Sequence, residues 1–325
     1  MIKYSFIIPV KEINAYIRDS IPNILALDRN NFEIIVYPDE ITGEQWEKTK
    51  QIASGHIGPA GKRNLAIRDA QGEVIIFIDD DAYPKKNFLE VLERDFEQAN
   101  IVAVGGPALT PHESKFWQRV SGAMFLSSLS GGFPERYRPV GQKKFVNDWP
   151  TVNLSIKKDI FAELGGFTAD YWPGDDTKLC FDLFMKKNIK VLYDPELIVY
   201  HHRREGLAEH VKQTGAYGLH RGFFMKKFTR TSLRWQYFMP SAFVLFIIAG
   251  GIGSFFSGFI FKLYLAGWGL YLVALLKAFF DIYRHEKNLV ITLATSYYIF
   301  LTHLLYGVRF LQGLLFVKKL KSKLR

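Results

Sequence analysis

The first 237 residues alternate between short apolar runs and longer amphipathic stretches. The apolar runs, rich in β-branched and aromatic residues, predict strands at 4–10, 32–37, 74–78, 101–104 and 191–193. The stretches between them predict helices at 15–27, 61–70, 87–98 and 175–187. Strands that alternate with helices indicate an α/β domain with a mostly parallel sheet.

Residues 112–147 interrupt this alternation. Residues 114–129 are apolar and aromatic on one side, and the glycines Gly131 and Gly132 then open a basic loop. This pattern predicts either a helix at a membrane surface followed by a mobile loop over the site, or an ordinary core helix.

The C-terminal quarter of the chain contains long apolar segments. No charged residue occurs between Arg234 and Lys262, and residues 238–261 are long enough to cross about 30 Å of hydrocarbon as a helix. Two further apolar runs follow at 263–282 and 289–308. Three such segments within 80 residues favour membrane helices over buried core helices.

The flanking charges predict the orientation of these segments. Basic loops tend to stay in the cytoplasm, so the segment before the first span and the segment after the second are both expected there. The residues concerned are Lys226, Lys227, Arg230 and Arg234 before the first span, and Arg284, His285 and Lys287 after the second. A third full crossing would put the basic tail, residues 318–325, outside. Two and three spans therefore both stay open, with the third segment crossing or lying in the interface.

The distribution of charge along the chain indicates which kind of partner the chain binds. Residues 238–325 hold 10 Lys/Arg against 2 Asp/Glu, whereas residues 1–237 hold 32 against 30. A basic tail after apolar segments is better explained by anionic lipid headgroups than by nucleic acid, so no nucleic-acid partner is expected. The single cysteine, Cys180, excludes an intrachain disulfide.

The strongest local signal is three consecutive acids, Asp79, Asp80 and Asp81, directly after the apolar run 74–78. Ligands bind α/β sheets at the carboxyl ends of strands, where these acids are expected. Adjacent carboxylates repel unless a cation neutralises them, so Mg²⁺ or Mn²⁺ bridging two phosphates fits the position. A solvated acidic turn is the alternative explanation for such a run on its own.

Three other short motifs add to this signal. Lys62 and Arg63 follow a glycine-containing turn at the start of a helix and suit an anionic diphosphate. Asp175 and Asp176 open a later helix, and the pair at 201–202 is His-His. Taken singly, a helix-start Asp is usually an N-cap and a loop histidine is usually solvated.

As an ordered set, these motifs resemble the family 2 glycosyltransferases, which are inverting enzymes of the GT-A fold that use nucleotide-diphosphate sugars. The resemblance extends over residues 3–210, and the apolar segments resemble those of the membrane-bound bacterial members that build exopolysaccharide and other cell-surface glycans. It implies a glycosyltransferase domain at 1–235, a membrane domain at 236–317 and a cytoplasmic tail at 318–325. The motifs are Ile7-Ile8-Pro9-Val10, Tyr37-Pro38-Asp39-Glu40, Gly61-Lys62-Arg63-Asn64, Phe77-Ile78-Asp79-Asp80-Asp81, Asn153-Leu154-Ser155, Gly165-Gly166-Phe167, Gly174-Asp175-Asp176 and His201-His202-Arg203.

The resemblance also implies a donor site. Pro9 and Asp39 would line the nucleobase pocket, with Asp39 hydrogen-bonding the base. Lys62 and Arg63 would lie near the base and the diphosphate, and Asp80 would point toward the ribose.

For the metal, the resemblance implies the outer acids of the Asp-x-Asp motif, Asp79 and Asp81, with Asp81 as the main ligand. His201 matches the late histidine of the family, which completes the metal site or touches the diphosphate. His202 is the next candidate.

The general base implied by the resemblance is Asp176, with Asp175 standing where the family usually has Glu. A dedicated base favours a hydroxyl acceptor, such as a sugar of a lipid-linked glycan, at the cytoplasmic face of the inner membrane. One alternative is a polyprenyl-phosphate glycosyltransferase, whose phosphate acceptor is already ionised. A second alternative is a nucleotide-sugar-binding membrane protein without catalysis.

Overall fold

The computed structural model describes residues 3–171 and 173–320, and this part of the chain divides into two compact units. The first, the α/β unit, comprises the described residues up to Leu109 together with Arg138–His202. The second, the helical unit, comprises Thr110–Tyr137 and Arg203–Leu320. By their contacts, the segments 110–137 and 203–234 thus group with the apolar helices. The domain boundary at residue 235 stays a prediction.

Strands and helices are numbered in chain order. The strands are β1 (Tyr4–Pro9), β2 (Phe32–Tyr37), β3 (Thr49–Gln51), β4 (Val74–Phe77), β5 (Ala82–Pro84), β6 (Ala103–Gly105), β7 (Ala108–Leu109), β8 (Lys144–Val146), β9 (Leu154–Lys157), β10 (Val191–Tyr193) and β11 (Val199–His201). The helices are α1 (Ala15–Leu25), α2 (Pro59–Asn64), α3 (Ala66–Asp69), α4 (Phe88–Phe96), α5 (Phe116–Ala123), α6 (Lys158–Glu163), α7 (Asp175–Lys187), α8 (Leu207–Lys227), α9 (Thr229–Ser232), α10 (Met239–Leu245), α11 (Gly251–Ser254), α12 (Gly258–Glu286) and α13 (Leu289–Leu315).

The α/β unit is built on an eight-stranded sheet in the order β3-β2-β1-β4-β9-β6-β10-β8. Strand β9 runs antiparallel between β4 and β6, and β8 runs antiparallel to β10, while the other pairs are parallel. The prediction of an α/β fold with a mostly parallel sheet is confirmed. The predicted helix 61–70 forms as two pieces, α2 and α3, and begins earlier because Pro59 fits the first helical turn.

Hydrophobic side chains cover both faces of this sheet, as expected of strands buried on two sides. Successive residues of β4 alternate between the two clusters: Ile76 belongs to the cluster that includes Ile17 of α1 and Leu92 of α4. Phe77 belongs to the cluster on the other face, which includes Leu183 of α7. The sheet is therefore fixed from both sides, and its carboxyl edge is a rigid base for side chains.

The helical unit is held by glycine-mediated helix packing. A Cβ atom on Gly218 would lie 2.6 Å from the Tyr306 carbonyl oxygen, and one on Gly222 would collide with the Phe310 carbonyl. Gly313 of α13 meets α8 in the same way. Small residues at such positions let two helix backbones approach closely. Helix α8, which the sequence analysis did not predict, therefore packs directly on α13.

Within the described residues, three helical segments are long and apolar enough to cross a membrane: Trp235–Ser254, Gly258–Glu286 and Leu289–Leu315. The predicted first span, 238–261, is too long, because the helix ends at Ser254. A new helix starts at Gly258, where the Ser257 hydroxyl accepts a hydrogen bond from the Ile260 N–H and caps it. Residues 321–325 of the predicted basic tail lie outside the described residues.

The predicted helix at 114–129 forms over a shorter range, as α5. Its inner face, which includes Val120 and Ala123, packs with residues of α12 and α13 such as Ile282. Its outer face carries Trp117, which is 45% exposed. Helix α5 is therefore a core helix of the helical unit on one side and an exposed aromatic surface on the other.

Candidate active site

The acidic run and the late histidine meet through a small second sheet in the order β5-β11-β7. Asp81 precedes β5, and the antiparallel register of β5 with β11 sets Ala82 opposite His201. As a result, His201 Nε2 lies 3.0 Å from Asp81 Oδ1. The backbone N–H of His202 also donates to the Asp81 carbonyl oxygen, at 2.9 Å.

Asp79 joins this pair to form a cluster of three metal-ligating side chains. One ligand atom from each of Asp79, Asp81 and His201 lies within 4.8 Å of the other two. Asp81 is buried, whereas Asp79 and His201 are partly exposed and so open to solvent. Two carboxylate oxygens and an imidazole nitrogen suit a divalent cation such as Mg²⁺ or Mn²⁺. The three predicted ligands are thus brought together in a form that can hold a divalent metal.

Arg63 connects the metal cluster to the start of α7. Its Nη2 donates to Asp79 Oδ1 at 2.7 Å, and its Nη1 donates to Asp175 Oδ2 at 3.4 Å. The guanidinium is 5% exposed and lies over the Phe167 ring. Burial raises the pKa of the Asp175 carboxyl, and the charge of Arg63 acts in the opposite direction. Arg63 therefore holds two acids from separate elements in one arrangement.

The Gly-Gly-Phe turn explains how Arg63 is positioned. Asn64, the next residue, donates to the Phe167 carbonyl oxygen at 2.9 Å and accepts from the Phe167 N–H at 2.7 Å. Gly166 adopts a φ of 73°, and a Cβ there would collide with Asn64 Oδ1. The turn and α2 are therefore locked together. In the sequence, Asn64 was recognised only as part of a motif, so its role in positioning Arg63 was not predicted.

Lys62 lies at a different part of the sheet edge from Arg63. Its buried Nζ donates to the Val10 carbonyl oxygen at 2.6 Å and to the Tyr37 carbonyl oxygen at 3.3 Å, and it forms an ion pair with Asp39. His56 Nδ1 also lies 2.7 Å from Asp39 Oδ2. The hydrogen bond from Lys62, reinforced by His56, holds the pKa of Asp39 below its usual value. Lys62 thus fixes Asp39 at the ends of β1 and β2.

The remaining predicted donor-site residues lie close to these strand ends. Pro9 is buried at the end of β1. Asp80 Oδ2 accepts a hydrogen bond from Asn14 Nδ2 at 2.7 Å, and Ser20 Oγ donates to the Asp80 carbonyl oxygen at 3.3 Å. Asp80 is therefore oriented by α1. Asn14, whose Oδ1 caps α1, was not recognised as a site residue because its sequence signal is only that of an N-cap.

The two acids that open α7 have different environments. Asp175 is buried against Arg63, whereas Asp176 is partly exposed. Asp176 Oδ1 accepts a hydrogen bond from the Thr177 N–H at 2.6 Å, and the Thr177 hydroxyl donates to the buried Asp148 at 2.9 Å. A carboxylate in the first helical turn is stabilised by the helix dipole. Asp176 is therefore a partly exposed carboxylate held at the start of α7.

His202 lies outside the metal-ligating cluster. Its ring packs at 5.3 Å from the ring of Tyr16, and its Nε2 is 3.8 Å from Asp19 Oδ2. Of the two adjacent histidines, only His201 is in the three-residue cluster of the described chain.

Comparison with known proteins gives a consistent result for this unit. The family model described as "Glycosyl transferase family 2" matches residues 5–160. A glycosyltransferase of Methanococcus voltae, a dolichyl N-acetyl-alpha-D-glucosaminyl phosphate 3-beta-D-2,3-diacetamido-2,3-dideoxy-beta-D-glucuronosyltransferase, is 24% identical over 242 residues, which cover 69% of this chain and 74% of that protein. The pre-mycofactocin glycosyltransferase of Mycobacterium tuberculosis is 26% identical over 161 residues, covering 50% of this chain but only 33% of that protein.

Among solved structures, a mannosyltransferase from Pyrobaculum calidifontis in complex with GDP-Man and Mn²⁺ superposes with a TM-score of 0.50. The match covers 69% of this chain and 64% of that one, at 16% identity. At this level of identity the likeness concerns the fold, and it agrees with the GT-A architecture expected from the sequence motifs.

Proposed function

We propose that this chain, whose residues 5–160 match the model of glycosyltransferase family 2, transfers a sugar, with inversion, from a nucleotide-diphosphate donor to a hydroxyl of a lipid-linked glycan. The observation that carries the proposal is the convergence of Asp79, Asp81 and His201 at the sheet edge, with Arg63 linking this cluster to α7. A lone acidic turn does not need this arrangement, whereas a diphosphate site does.

The donor would lie along the carboxyl edge of the sheet. Asp39, held by Lys62 beside Pro9, is suited to hydrogen-bond a nucleobase, and Asp80 is suited to face the ribose. Arg63, because it is buried between two acids, would act on the diphosphate mainly by keeping those acids in place.

Asp79, Asp81 and His201 would hold a divalent cation. When bound, the cation supplies positive charge that stabilises the diphosphate leaving group. Asp176 takes the proton from the acceptor hydroxyl, whose oxygen forms the new bond to the anomeric carbon. The bond from that carbon to the diphosphate breaks, and its electron pair stays on the phosphate oxygen. Attack opposite to the leaving group gives inversion.

The apolar helices suggest where the reaction takes place. We place the α/β unit at the cytoplasmic face of the cell (inner) membrane, with the chain a multi-pass protein, because basic residues flank the helices that could cross the bilayer. The relative from Methanococcus voltae is named for a dolichyl-phosphate-linked sugar, which is consistent with a lipid-linked acceptor.

The first experiment measures release of nucleoside diphosphate by the detergent-purified chain. The donors are UDP-, GDP- and dTDP-sugars, each with and without Mn²⁺ or Mg²⁺, and the proteins are wild type and Asp81→Ala. We expect slow metal-dependent hydrolysis of one donor that is lost in the variant. Metal-dependent binding without hydrolysis shows that an acceptor is required, whereas no binding of any nucleotide sugar contradicts the proposal.

A second variant, Asp176→Asn, tests the acceptor. A hydroxyl acceptor must lose its proton, so turnover should fall by about 10²–10⁴-fold. A modest loss would instead support a polyprenyl phosphate as acceptor, since that group is already ionised. Retained donor binding with no turnover by the wild type on any lipid acceptor would support a purely binding role.

A further inference from the structure

Four arginines of the helical unit stack on aromatic rings in one region. Arg136 and Arg234 lie 5.0 and 5.3 Å from the centre of the Phe133 ring. The Phe133 ring in turn packs at 5.2 Å against another ring, that of Tyr237. We call Arg136, Arg203, Arg221 and Arg234 the four-arginine cluster.

The other two arginines surround the same group of rings. Arg203 lies 5.0 Å from the centre of the Tyr137 ring, and Arg221 lies 4.9 Å from that of Tyr237. Burial raises the pKa of Tyr137, while the charges of Arg203, Arg136 and Arg221 act in the opposite direction. Tyr137 therefore lies within electrostatic range of three guanidinium groups, those of its neighbour Arg136 and of the distant Arg203 and Arg221.

These arginines are held in place by the packing of the helical unit. Arg203 Nε donates to Thr110 Oγ1 at 3.4 Å, and its Cγ lies 3.2 Å from where a Cβ of Gly122 would be. Arg221 lies next to Gly222, which packs against the backbone of α13. All four are partly buried rather than fully exposed.

The chemistry of a stacked arginine favours an oxyanion. The N–H groups of a guanidinium lie in its plane, so a ring can cover one face while the edge keeps the fork geometry that matches phosphate oxygens. Several such groups together match the charge of a phosphate or diphosphate.

The sequence position of the cluster favours a phosphate attached to an apolar chain. Arg234 directly precedes the candidate span Trp235–Ser254, and Trp235 is 68% exposed, as expected of an interfacial anchor. Arg203 follows His201 of the metal-ligating cluster by two residues in the chain. The phosphate headgroups of a bilayer lie level with the ends of membrane-spanning helices, and the lipid chains lie beside the apolar parts of those helices.

We propose that the four-arginine cluster binds the phosphate or diphosphate of the lipid-linked acceptor. This inference rests on the proposed function, because it assigns that acceptor a binding group in the helical unit.

The test measures binding of short-chain probes to the full chain in detergent, without added metal, by calorimetry. The probes are farnesyl phosphate, its neutral analogue farnesol and inorganic pyrophosphate. We expect farnesyl phosphate to bind at least about tenfold more tightly than farnesol, and Arg221→Gln to weaken it by about tenfold or more. Lys212→Gln, an exposed cation on the same helix, is the matched control and should leave the affinity unchanged.

Three results would overturn the proposal: equal affinity for farnesol and farnesyl phosphate, an unchanged affinity in Arg221→Gln, or pyrophosphate binding as tightly as farnesyl phosphate. The last result would mean that the cluster binds a free anion instead of a lipid headgroup. Arg136→Gln, in the segment between α5 and β8, repeats the test if Arg221→Gln does not fold. Nucleotide-sugar binding is measured on the same samples after Mn²⁺ is added, so failure of the donor site is seen separately from failure of the cluster.

Discussion

The α/β unit and the helical unit organise charge in opposite ways. In the α/β unit, cations hold acids: Lys62 fixes Asp39, and Arg63 joins Asp79 to Asp175. In the helical unit, aromatic rings hold cations, as Tyr137 does for Arg203. The first arrangement gathers carboxylates around a position for a metal ion. The second brings guanidinium groups together on aromatic rings. One chain therefore gathers carboxylates in one unit and guanidinium groups in the other.

The two arrangements also differ in what a substitution should cost. A buried ion pair loses most of its value when one partner is removed, because the other charge is left without compensation in a poorly solvated place. A stacked, half-buried arginine leaves behind an aromatic ring, which tolerates the loss. Substitutions in the α/β unit should therefore reduce stability, whereas those of stacked arginines should mainly reduce binding.

The largest effect is expected for Arg63→Gln. It leaves the buried Asp175 without its counter-charge and releases Asp79, so the free energy of unfolding should fall by about 3–5 kcal/mol. Chemical denaturation of the full chain in detergent measures this. The double variant Arg63→Gln/Asp175→Asn should recover much of the stability while donor hydrolysis stays low. A loss below about 1 kcal/mol in the single variant would show that the pair is not what holds this edge together.

Gly222→Val tests the scaffold beneath the four-arginine cluster. A side chain there collides with the Phe310 carbonyl, so α8 and α13 must separate, at a cost of about 1–3 kcal/mol. The matched control is Gly269→Val on α12, where nothing lies within 4 Å of the added Cβ. Thermal unfolding should separate the two variants. Equal melting temperatures would contradict close packing of these two helices.

A third prediction distinguishes the two adjacent histidines. His201→Ala removes a side chain of the metal-ligating cluster and should raise the Mn²⁺ concentration for half-maximal donor hydrolysis by about 10–100-fold. His202→Ala removes a ring that packs on Tyr16 and should change it far less. The measurement is a metal titration of nucleoside diphosphate release. A larger shift for His202→Ala would reverse the assignment.

The sequence predicted the parts of this comparison that depend on local pattern. Acids at the end of an apolar strand indicated the position of Asp79 and Asp81, and strand and helix positions followed from periodicity. The double contact of Arg63 was not predictable, because it depends on how α2 is locked to the turn that contains Gly166. That lock is a hydrogen bond between Asn64 and Phe167, which are 103 residues apart in the sequence. The end of the first apolar helix at Ser254 was missed because hydropathy does not register a capped turn.

Long-range packing also determined which segments join the helical unit. The sequence shows only that the strand–helix alternation is interrupted after residue 112, whereas the burial of Val120 against the apolar helices shows that residues 110–137 belong to the helical unit. The four-arginine cluster is likewise assembled from residues nearly 100 positions apart. Its arginines carry no motif, so Arg234 entered the sequence prediction only as a basic residue before the first span, and Arg221 was not singled out.

The smallest predicted effect concerns a place where the α/β unit has two acids facing each other. Asp95 and Asp194 are both buried, and Lys143 bonds to each. Burial raises the pKa of Asp95 to about 6 from 3.8. The folded state thus keeps a proton that the unfolded state releases near pH 4, so this group's stabilisation is complete below pH 4 and is lost as pH rises through 6. Between pH 5 and 7 the loss should be about 1 kcal/mol.

Asp95→Asn stays neutral and should remove this slope from the stability profile, whereas Glu163→Gln, an exposed acid, should keep it. Parallel profiles for Asp95→Asn and wild type would mean that Lys143 neutralises both acids fully, as Lys62 does for Asp39.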